Sequence, residues 1–255
     1  GCLAVRYKYT AQGLLSKYLA SRAIKKVKLH LISKDTYYLL KKEGYKMNNR
    51  YILGRPCILS DNKEVKEKSS EGALKYISIC RMIKDKNISN LIQSFDKLIQ
   101  SGLNIELDLY GSGEEEQELK SQIIAKDNIR LKGEFKHSDL MNIMRSYDYF
   151  ILPSLHETFG RVWIEACSAG LPMISTDYGN LKNIIKDGYN GIVTGKEITE
   201  ISNSIVKSYE INNINYKEMS ANSIKTAEEY SEKKIVGDLL RIMKQNGIEI
   251  NNSLT

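Results

Sequence analysis

The strongest constraint on the fold is the alternation of apolar runs and helical periodicity between residues 74 and 195. Short apolar runs predict strands at 74–80, 105–111, 128–133, 148–154, 171–176 and 191–195. Amphipathic spacing between them predicts helices at 88–99, 113–124, 138–147, 160–170 and 181–188. Strands and helices that alternate in this way form a parallel sheet covered by helices, which is an α/β fold. Because ligands in such sheets bind at the carboxyl ends of the strands, functional residues are expected just after each strand.

The ends of several elements also carry recognisable signals. Gly102 is predicted to end the helix at 88–99, and Ser138 is predicted to cap the helix that follows it. Acidic residues in the first turn of the helix at 113–124 favour its start, because the helix dipole is positive there.

A polar stretch without periodicity at residues 61–72 predicts a linker between two domains. Before it, the pattern predicts a strand at 27–33, a short helix at 35–43 and a further apolar run at 51–59. After the α/β pattern, two helices are predicted at about 197–210 and 215–245, with breaks whose positions the pattern does not give. The expected organisation is an N-terminal piece at 1–60, the linker, an α/β domain at 73–245 and a flexible tail at 246–255.

Charge is distributed unevenly along the chain. Residues 1–68 hold 16 Lys and Arg against 5 Asp and Glu, although the whole chain has a net charge of only +7. Such a segment is most often a solvated basic face, but it also suits a membrane surface or a lipid-phosphate acceptor. No nucleic-acid-binding motif accompanies the charge, so nucleic acid is not the expected partner.

A glycine turn after the second of these strands resembles the start of a dinucleotide fingerprint, but it fails the test. Gly111, Ser112 and Gly113 follow a strand and precede a helix, yet Glu116 stands where the third glycine belongs. Glu114, Glu115 and Glu116 would repel a pyrophosphate from the helix start. The turn is therefore interpreted as structural, and an NAD-type oxidoreductase is not expected.

The most informative stretch surrounds the start of the helix at 160–170. Gly160 lets a ligand approach the backbone, and the free N–H groups of the first helical turn form an anion site. Glu157 and Glu165 flank that site, and carboxylates beside a phosphate suit hydroxyl groups, such as those of a sugar and a ribose. Arg81 and Lys86 follow the strand at 74–80, where they suit phosphate oxygens. Each feature alone is common on protein surfaces, so the prediction depends on their combination.

Together these residues resemble glycosyltransferase family 4, whose members are retaining enzymes with two facing Rossmann-like domains, the GT-B fold. The Arg-x4-Lys pair of that family is similar to Arg81 and Lys86, and its Glu-x7-Glu motif looks like Glu157 and Glu165. The resemblance covers residues 74–195, most of the second domain. It implies a complete donor domain, and only a partial N-terminal acceptor domain in residues 1–60.

The resemblance also implies roles for individual residues. Arg81, Lys86 and Glu157 would be catalytic, with the two cations on the diphosphate and Glu157 on the donor sugar. Glu165 would contact the ribose. The further donor-binding residues would be Glu134 and Phe135 beside the nucleobase, and Thr158, Phe159, Gly160 and Arg161 around the diphosphate.

The sequence departs from the family pattern at three positions. Cys80 stands where the family usually has Gly before the Arg, and Asn180 replaces the second Gly of a Gly-Gly pair. Asn183 replaces a Glu that often follows. These changes lie near the expected donor sugar, so the identity of that sugar stays open.

The expected reaction is the transfer of a hexosyl group from a nucleoside diphosphate sugar to a glycan, lipid or other acceptor. The resemblance implies no metal ion, and the three histidines lack ligand-like spacing. Scattered cysteines and the lack of a signal-peptide pattern suggest a cytoplasmic protein, with peripheral contact at the membrane as an option. The alternatives are a donor-domain fragment that binds without transfer, a nucleotide-sugar epimerase, and a basic nucleic-acid binder.

Overall fold

The computed structural model describes residues 30–32, 50–52, 63–124, 126–157 and 160–245. The chain divides into two compact units, one of residues 1–56 and 232–255, the other of residues 57–231. The sequence pattern instead assigns 232–245 to the α/β domain. The predicted domain boundaries stay a prediction.

The first unit contributes two short strands and one helix to the described residues. Strands β1 (His30–Ile32) and β2 (Arg50–Ile52) pair in parallel, and helix α8 spans Glu232–Gln245. Strand β1 lies inside the predicted strand at 27–33. The predicted helix at 35–43 and most of the basic segment lie outside the described residues.

The second unit is an α/β domain with six parallel strands. The strands are β3 (Leu74–Ile79), β4 (Ile105–Tyr110), β5 (Ile129–Gly133), β6 (Tyr149–Leu152), β7 (Met173–Ser175) and β8 (Gly191–Val193). The helices are α1 (Ile88–Gln100), α2 (Glu116–Gln122), α3 (Leu140–Arg145), α4 (Arg161–Ser168), α5 (Leu181–Ile184), α6 (Ile198–Glu210) and α7 (Asn213–Glu228). The predicted alternation of strands and helices is confirmed.

The order of the strands decides where a ligand can bind. The sheet runs β5-β4-β3-β6-β7-β8, and all neighbours are parallel. The chain begins at the central strand β3 and adds β4 and β5 outward to one edge. It then returns to the centre and adds β6, β7 and β8 on the other side. This is the doubly wound order of Rossmann-like folds, and its crevice opens beyond the carboxyl ends of β3 and β6.

Helix α1 shows how the apolar pattern becomes the core. Ile88, Leu91, Ile92, Phe95 and Leu98 are all buried, as their spacing predicts. The helix ends as predicted, because Gly102 follows it with a φ of 95°, a conformation that favours glycine.

Three local expectations are corrected by the structure. Helix α2 begins at Glu116 rather than at 113, because the N–H of Glu115 bonds to the carbonyl of Met82 in a neighbouring loop. Ser138 does not cap a helix, since it lies within a short 3-10 turn and its hydroxyl bonds to Asp139. The C-terminal pattern forms three helices, α6, α7 and α8, instead of two.

The predicted linker packs along the second unit as an extended strap, defined here as residues 63–70. The Lys68 ammonium donates to the carbonyls of Ser208, Tyr209 and Ile211 at the end of α6. These carbonyls have no partner within the helix, so the ammonium acts as a cap and complements the negative end of the dipole.

The other lysine of the strap is more deeply placed. The Lys66 ammonium donates to the carbonyls of Arg145 and Tyr147. Burial lowers the pKa of Lys66 to about 8, although nearby Asp148 acts in the opposite direction. Ser69 continues the attachment by donating two hydrogen bonds to Asp148, which is itself buried.

None of the helices in the described part of the chain combines the length and apolar character that a membrane crossing requires.

Candidate functional site

A cavity of about 530 Å³ opens at the carboxyl ends of β3 and β6, where the strand order reverses. The loop after β3 supplies one wall, and the loop after β6 with the start of α4 supplies the other. The lining residues are Ile79, Cys80, Arg81, Lys86, Phe135, His137, Leu140, Leu152, Glu157, Arg161, Val162, Trp163 and Glu165. The structure therefore brings together the two acidic and two basic side chains that the sequence predicts to converge.

An ion pair joins the two loops that line the cavity. The Lys86 ammonium lies 2.8 Å from Glu157 Oε2 and also donates to the Ser154 hydroxyl. Glu157 Oε1 accepts a hydrogen bond of 3.2 Å from the N–H of Gly160, next to the start of α4. The Glu157 carboxylate thus interacts with both a cation and a backbone N–H group, and each of these groups would also suit a phosphate.

Gly160 holds a conformation that other residues adopt at a cost. Its φ is 82°, in the left-handed region that favours glycine. A Cβ there would lie 3.0 Å from a Leu181 methyl carbon and 3.2 Å from the Trp163 ring. Any side chain at this position would crowd Leu181 and Trp163, so glycine allows the chain to enter α4 close to both residues.

Glu165 is the second carboxylate, and it is buried on α4. Its carboxylate lies 3.8 Å from both the Arg161 guanidinium and the His137 ring. Burial raises the pKa of Glu165, while Arg161 and His137 lower it. A partly desolvated carboxylate of this kind is a strong acceptor for hydroxyl groups.

The only tryptophan of the chain lies in the same cavity wall. Trp163 is 1% exposed, and its indole N–H donates to the Ser175 hydroxyl, which in turn donates to the Leu152 carbonyl. The Lys86 ammonium lies 5.6 Å from the centre of its ring, within range of a cation–π interaction. Trp163 therefore helps to hold the lysine that pairs with Glu157.

The glycine turn at 111–113 supports this site through its backbone. A Cβ at Gly111 would lie 1.9 Å from the Cys80 carbonyl oxygen, and one at Gly113 would lie 2.4 Å from that of Met82. The N–H of Met82 donates to the Ser112 carbonyl. The turn is thus packed tightly against the loop that carries Arg81, which matches its interpretation as structural.

The chemistry of the loop residue before Arg81 is also set by packing. Burial raises the pKa of the Cys80 thiol to about 12, even though Lys86 acts to lower it. Cys80 lines the cavity as a neutral thiol and packs against the core.

Comparison with known proteins identifies the family. Residues 60–229 match the family model described as "Glycosyl transferases group 1". The chain belongs to this family. The match covers the whole of the six-stranded domain, including both loops of the cavity.

Curated relatives of the chain include bacterial glycosyltransferases. The chain is 31% identical over 180 residues to the "UDP-N-acetylglucosamine--peptide N-acetylglucosaminyltransferase GtfA subunit" of Streptococcus gordonii, covering 66% of this chain and 35% of that one. It is 30% identical over 146 residues to the "Capsular polysaccharide biosynthesis glycosyltransferase CapM" of Staphylococcus aureus, covering 53% and 37%. The chain spans about a third of the length of these relatives.

Solved structures support the same fold. The structure titled "Crystal structure of the pneumococcal O-GlcNAc transferase GtfA in complex with UDP and GlcNAc" aligns with a TM-score of 0.69 at 25% identity, covering 91% of this chain and 47% of that one. "Crystal structure of Anabaena Alr3699/HepE in complex with UDP and glucose" aligns with a TM-score of 0.73 at 18% identity, covering 91% and 67%. The predicted α/β fold of GT-B type is confirmed.

Not every predicted site residue of this group 1 glycosyl transferase lines the cavity. Glu134 is exposed and accepts a hydrogen bond from the Ser112 hydroxyl, outside the set of lining residues. Thr158 and Phe159 lie outside the described residues. Phe135 and Arg161 do line the cavity.

Sequence reasoning missed two contributors to the site, His137 and Trp163. Trp163 had a usable signal, because the single tryptophan stands three residues after Gly160 on the helix that bears Glu165. His137 had none, since its contact with Glu165 joins positions far apart in the sequence.

Asn183 and Asn180, the two positions in this region at which the resemblance to family 4 was expected to fail, bond to each other. The Asn183 amide donates to the Asn180 side-chain oxygen at 3.0 Å, and Asn180 is buried. This pair lies at the start of α5, whose Leu181 would touch a Cβ at Gly160. Asn180 and Asn183 therefore form a hydrogen bond with each other beside the site.

Proposed function

We propose that this chain is the donor-binding part of a retaining glycosyltransferase that belongs to family 4. It would move a hexosyl group from a nucleoside diphosphate sugar to a glycan, lipid or other acceptor, in the synthesis of a cell-surface polysaccharide. The observation that supports this proposal is the convergence of Arg81, Lys86, Glu157 and Glu165 on one cavity at the switch point of the sheet.

The positive side of the cavity suits a diphosphate. Arg81 and Lys86 both line it, and the N–H of Gly160 lies beside the amino end of α4. Lys86 is fixed before a ligand arrives, because Ser154, Glu157 and Trp163 hold it. A cation positioned in this way can stabilise the negative charge of a phosphate once it exchanges Glu157 for the ligand.

The acidic side suits hydroxyl groups. Glu165 is buried and has therefore lost most of its contact with water. Hydroxyl groups of a ligand can donate the hydrogen bonds that water no longer provides. We assign the ribose to Glu165 and the donor sugar to Glu157, as the family resemblance implies. UDP is the first nucleotide to test, because relatives and aligned structures carry it in their names.

The reaction can be written so that every atom is accounted for. The bond between the anomeric carbon and the β-phosphate oxygen breaks, and its electron pair stays on that oxygen. The acceptor hydroxyl oxygen bonds to the anomeric carbon on the same face, and its proton passes to the departing phosphate. Arg81 and Lys86 lower the barrier if their bonds to the phosphate strengthen as charge develops there.

Binding of UDP to the purified chain tests the phosphate site. Arg81→Ala and Lys86→Ala should each weaken UDP binding by about tenfold, which is about 1.4 kcal/mol. Calorimetry measures the affinity, and the fluorescence of Trp163 provides a second signal from the cavity itself. Lys84→Ala is the matched control, because Lys84 belongs to the same 3-10 turn as Lys86 but is exposed and does not line the cavity. Unchanged UDP binding in both test variants would place the phosphate elsewhere.

Turnover separates the proposed activity from its alternatives. Incubation with a UDP-sugar and a mixed set of acceptors should produce a glycosylated product that keeps the anomeric configuration of the donor. Binding without product would favour a donor-binding fragment, and isomerised sugar in the absence of acceptor would indicate an epimerase.

The proposal needs no metal ion, because two cationic side chains, Arg81 and Lys86, would face the diphosphate. In the described ranges, no three His, Cys, Asp or Glu side chains cluster as metal ligands would. We expect EDTA to leave the affinity for UDP unchanged in calorimetry. A loss of affinity that added Mg²⁺ or Mn²⁺ restores would contradict this expectation.

A further inference from the structure

A second cavity has a volume of about 480 Å³. It is formed between the segment that joins α5 to β8 and the last turns of α7. That segment leads into the amino end of β8, whereas the donor cavity opens at the carboxyl ends of β3 and β6. The two cavities share none of their lining residues. They are therefore separate cavities, although Asn183, which lines the second one, lies on α5, the helix that packs near Gly160.

The walls of this second cavity are held rigidly by Asn190, which is fully buried. Its side-chain amide donates to the Ile184 carbonyl and to the Thr226 hydroxyl, and its side-chain oxygen accepts from the N–H of Lys186. Its carbonyl accepts from the Ser223 hydroxyl on α7. A cavity whose two walls are fastened in this way is preformed, so a ligand would not have to order it.

The lining combines aromatic rings with groups that bond to hydroxyls. Tyr189 and Tyr230 supply half-buried rings, and Lys186, Lys225 and Glu229 supply exposed charges. The Lys186 ammonium lies 5.3 Å from the centre of the Tyr189 ring, which restricts both side chains. Aromatic rings offer apolar area against the C–H groups of a sugar ring, while ammonium, carboxylate and hydroxyl groups pair with its hydroxyls.

The balance of charge argues against a simple anion site. Two ammonium groups face one carboxylate, and the cavity adjoins the carboxyl end of α7, where the helix dipole disfavours anions. A site for phosphate alone would be expected to place backbone N–H groups and several cations toward the ligand. The mixed polar and aromatic lining fits a pyranose ring better.

We propose that this second cavity binds a saccharide of one or two pyranose units, independently of the donor site. The inference depends on the lining and rigidity of the cavity and not on the proposed transfer reaction. A glycan held there would stay attached to the protein without competing with the nucleotide sugar.

Titrations followed by heteronuclear NMR test this proposal on the full chain labelled with ¹⁵N. The probes are glucose, N-acetylglucosamine, the disaccharides of each, and their 1-phosphates, with glycerol and inorganic phosphate as controls. At least one sugar should cause saturable shifts at the amides of residues 183–190 and 225–230. Saturating UDP should leave these shifts in place.

Substitutions of the lining residues test whether the saccharide binds in this cavity. Lys225→Ala and Tyr189→Leu should each weaken saccharide binding by about tenfold while leaving the affinity for UDP unchanged. Lys182→Ala is the matched control, because Lys182 is exposed on α5 and does not line the cavity. Lys225 is also exposed, so its replacement keeps the fold even if the change at Tyr189 does not.

Three results would overturn the proposal. The first is the absence of saturable shifts with every sugar. The second is displacement of the sugar by UDP, which would place it in the donor cavity. The third is binding of the 1-phosphates alone with competition by inorganic phosphate, which would identify an anion site. Failure of UDP to bind would count against the proposed function and not against this site.

Discussion

Among single residues, Glu157 has the most unusual position, because it interacts with groups that would also suit the ligand's phosphates. Its carboxylate takes one hydrogen bond from Lys86 and another from the N–H of Gly160. The side chains of Lys86 and Glu157 are only 15% and 14% exposed, so solvent screens their attraction less than at an open surface. A nucleoside diphosphate would therefore compete with Glu157 for these two donors.

Glu157→Gln should bind UDP more tightly than the parent, by about threefold or more, which is about 0.7 kcal/mol. The physical reason is that Gln removes the negative charge that pairs with Lys86 and repels the diphosphate. Transfer activity should fall in the same variant, because the proposed contact with the donor sugar is lost. Calorimetry with UDP and a turnover assay measure the two effects.

Asp85→Asn is the control for this experiment, because it changes the net charge equally but at an exposed residue of the 3-10 turn that carries Lys86. Weaker binding of UDP by Glu157→Gln would mean that the carboxylate supports the diphosphate instead of competing with it.

Among the elements, the turn after β4 determines where the Arg81 loop lies. Gly111 and Gly113 bring the backbone of this turn against Cys80 and Met82. The contact joins two loops at the carboxyl edge of neighbouring strands. The turn thus acts on the site without contributing a side chain to it.

Gly111→Ala should lower both the stability of the protein and its affinity for UDP. A Cβ would lie 1.9 Å from the Cys80 carbonyl oxygen, so the Arg81 loop must move, at a cost of about 1–3 kcal/mol for overpacking. Urea denaturation and UDP calorimetry provide the measurements. Gly102→Ala, on the other side of β4, has a similarly positive φ of 95° but no atom within 4 Å of the new Cβ. Equal losses in the two variants would show that backbone strain, not the close approach, is responsible.

Across the second unit as a whole, the strap of residues 63–70 connects parts of the chain that are far apart in sequence. Its lysines bond to carbonyls at the ends of α3 and α6, and Ser69 bonds to Asp148 before β6. Carbonyls at helix ends need partners from elsewhere, and the strap supplies them. The strap should therefore contribute to the stability of the α/β domain.

The pH dependence of unfolding tests the buried lysine of the strap. Burial lowers the pKa of Lys66 to about 8 from its usual 10.5, so the unfolded chain binds more protons at this group between those values. Its contribution to the free energy of unfolding should therefore rise with pH in that window, starting from a penalty below pH 8. We expect the parent to gain stability relative to Lys66→Met between about pH 8 and 10.5 in urea denaturation.

Lys63→Met serves as the control for this comparison, because Lys63 lies in the same strap but pairs with Glu228 at the surface. A stability difference between the parent and Lys66→Met that does not vary with pH would show that the Lys66 ammonium keeps its usual pKa in the folded protein.

Elements that depend on the spacing of nearby residues could be predicted from the sequence. Boundaries that depend on contacts between distant segments could not. The spacing of Ile88, Leu91 and Phe95 predicted α1, because burial of one helix face is a local pattern. The start of α2 could not be predicted, since it depends on a bond from Glu115 to Met82, which lies on a different loop. Ser138 was wrongly expected to cap a helix because a 3-10 turn there precedes α3.

The sequence by itself determined the parallel α/β fold and the four side chains that meet at the switch point, because strand ends in such a sheet share one edge. Only the tertiary structure decided which groups touch: Lys86 pairs with Glu157, and Trp163 lies beneath that pair. It also placed the strap on the domain and formed the second cavity between the α5–β8 segment and α7. These contacts join residues distant in the chain, and their geometry follows from packing, which no local pattern encodes.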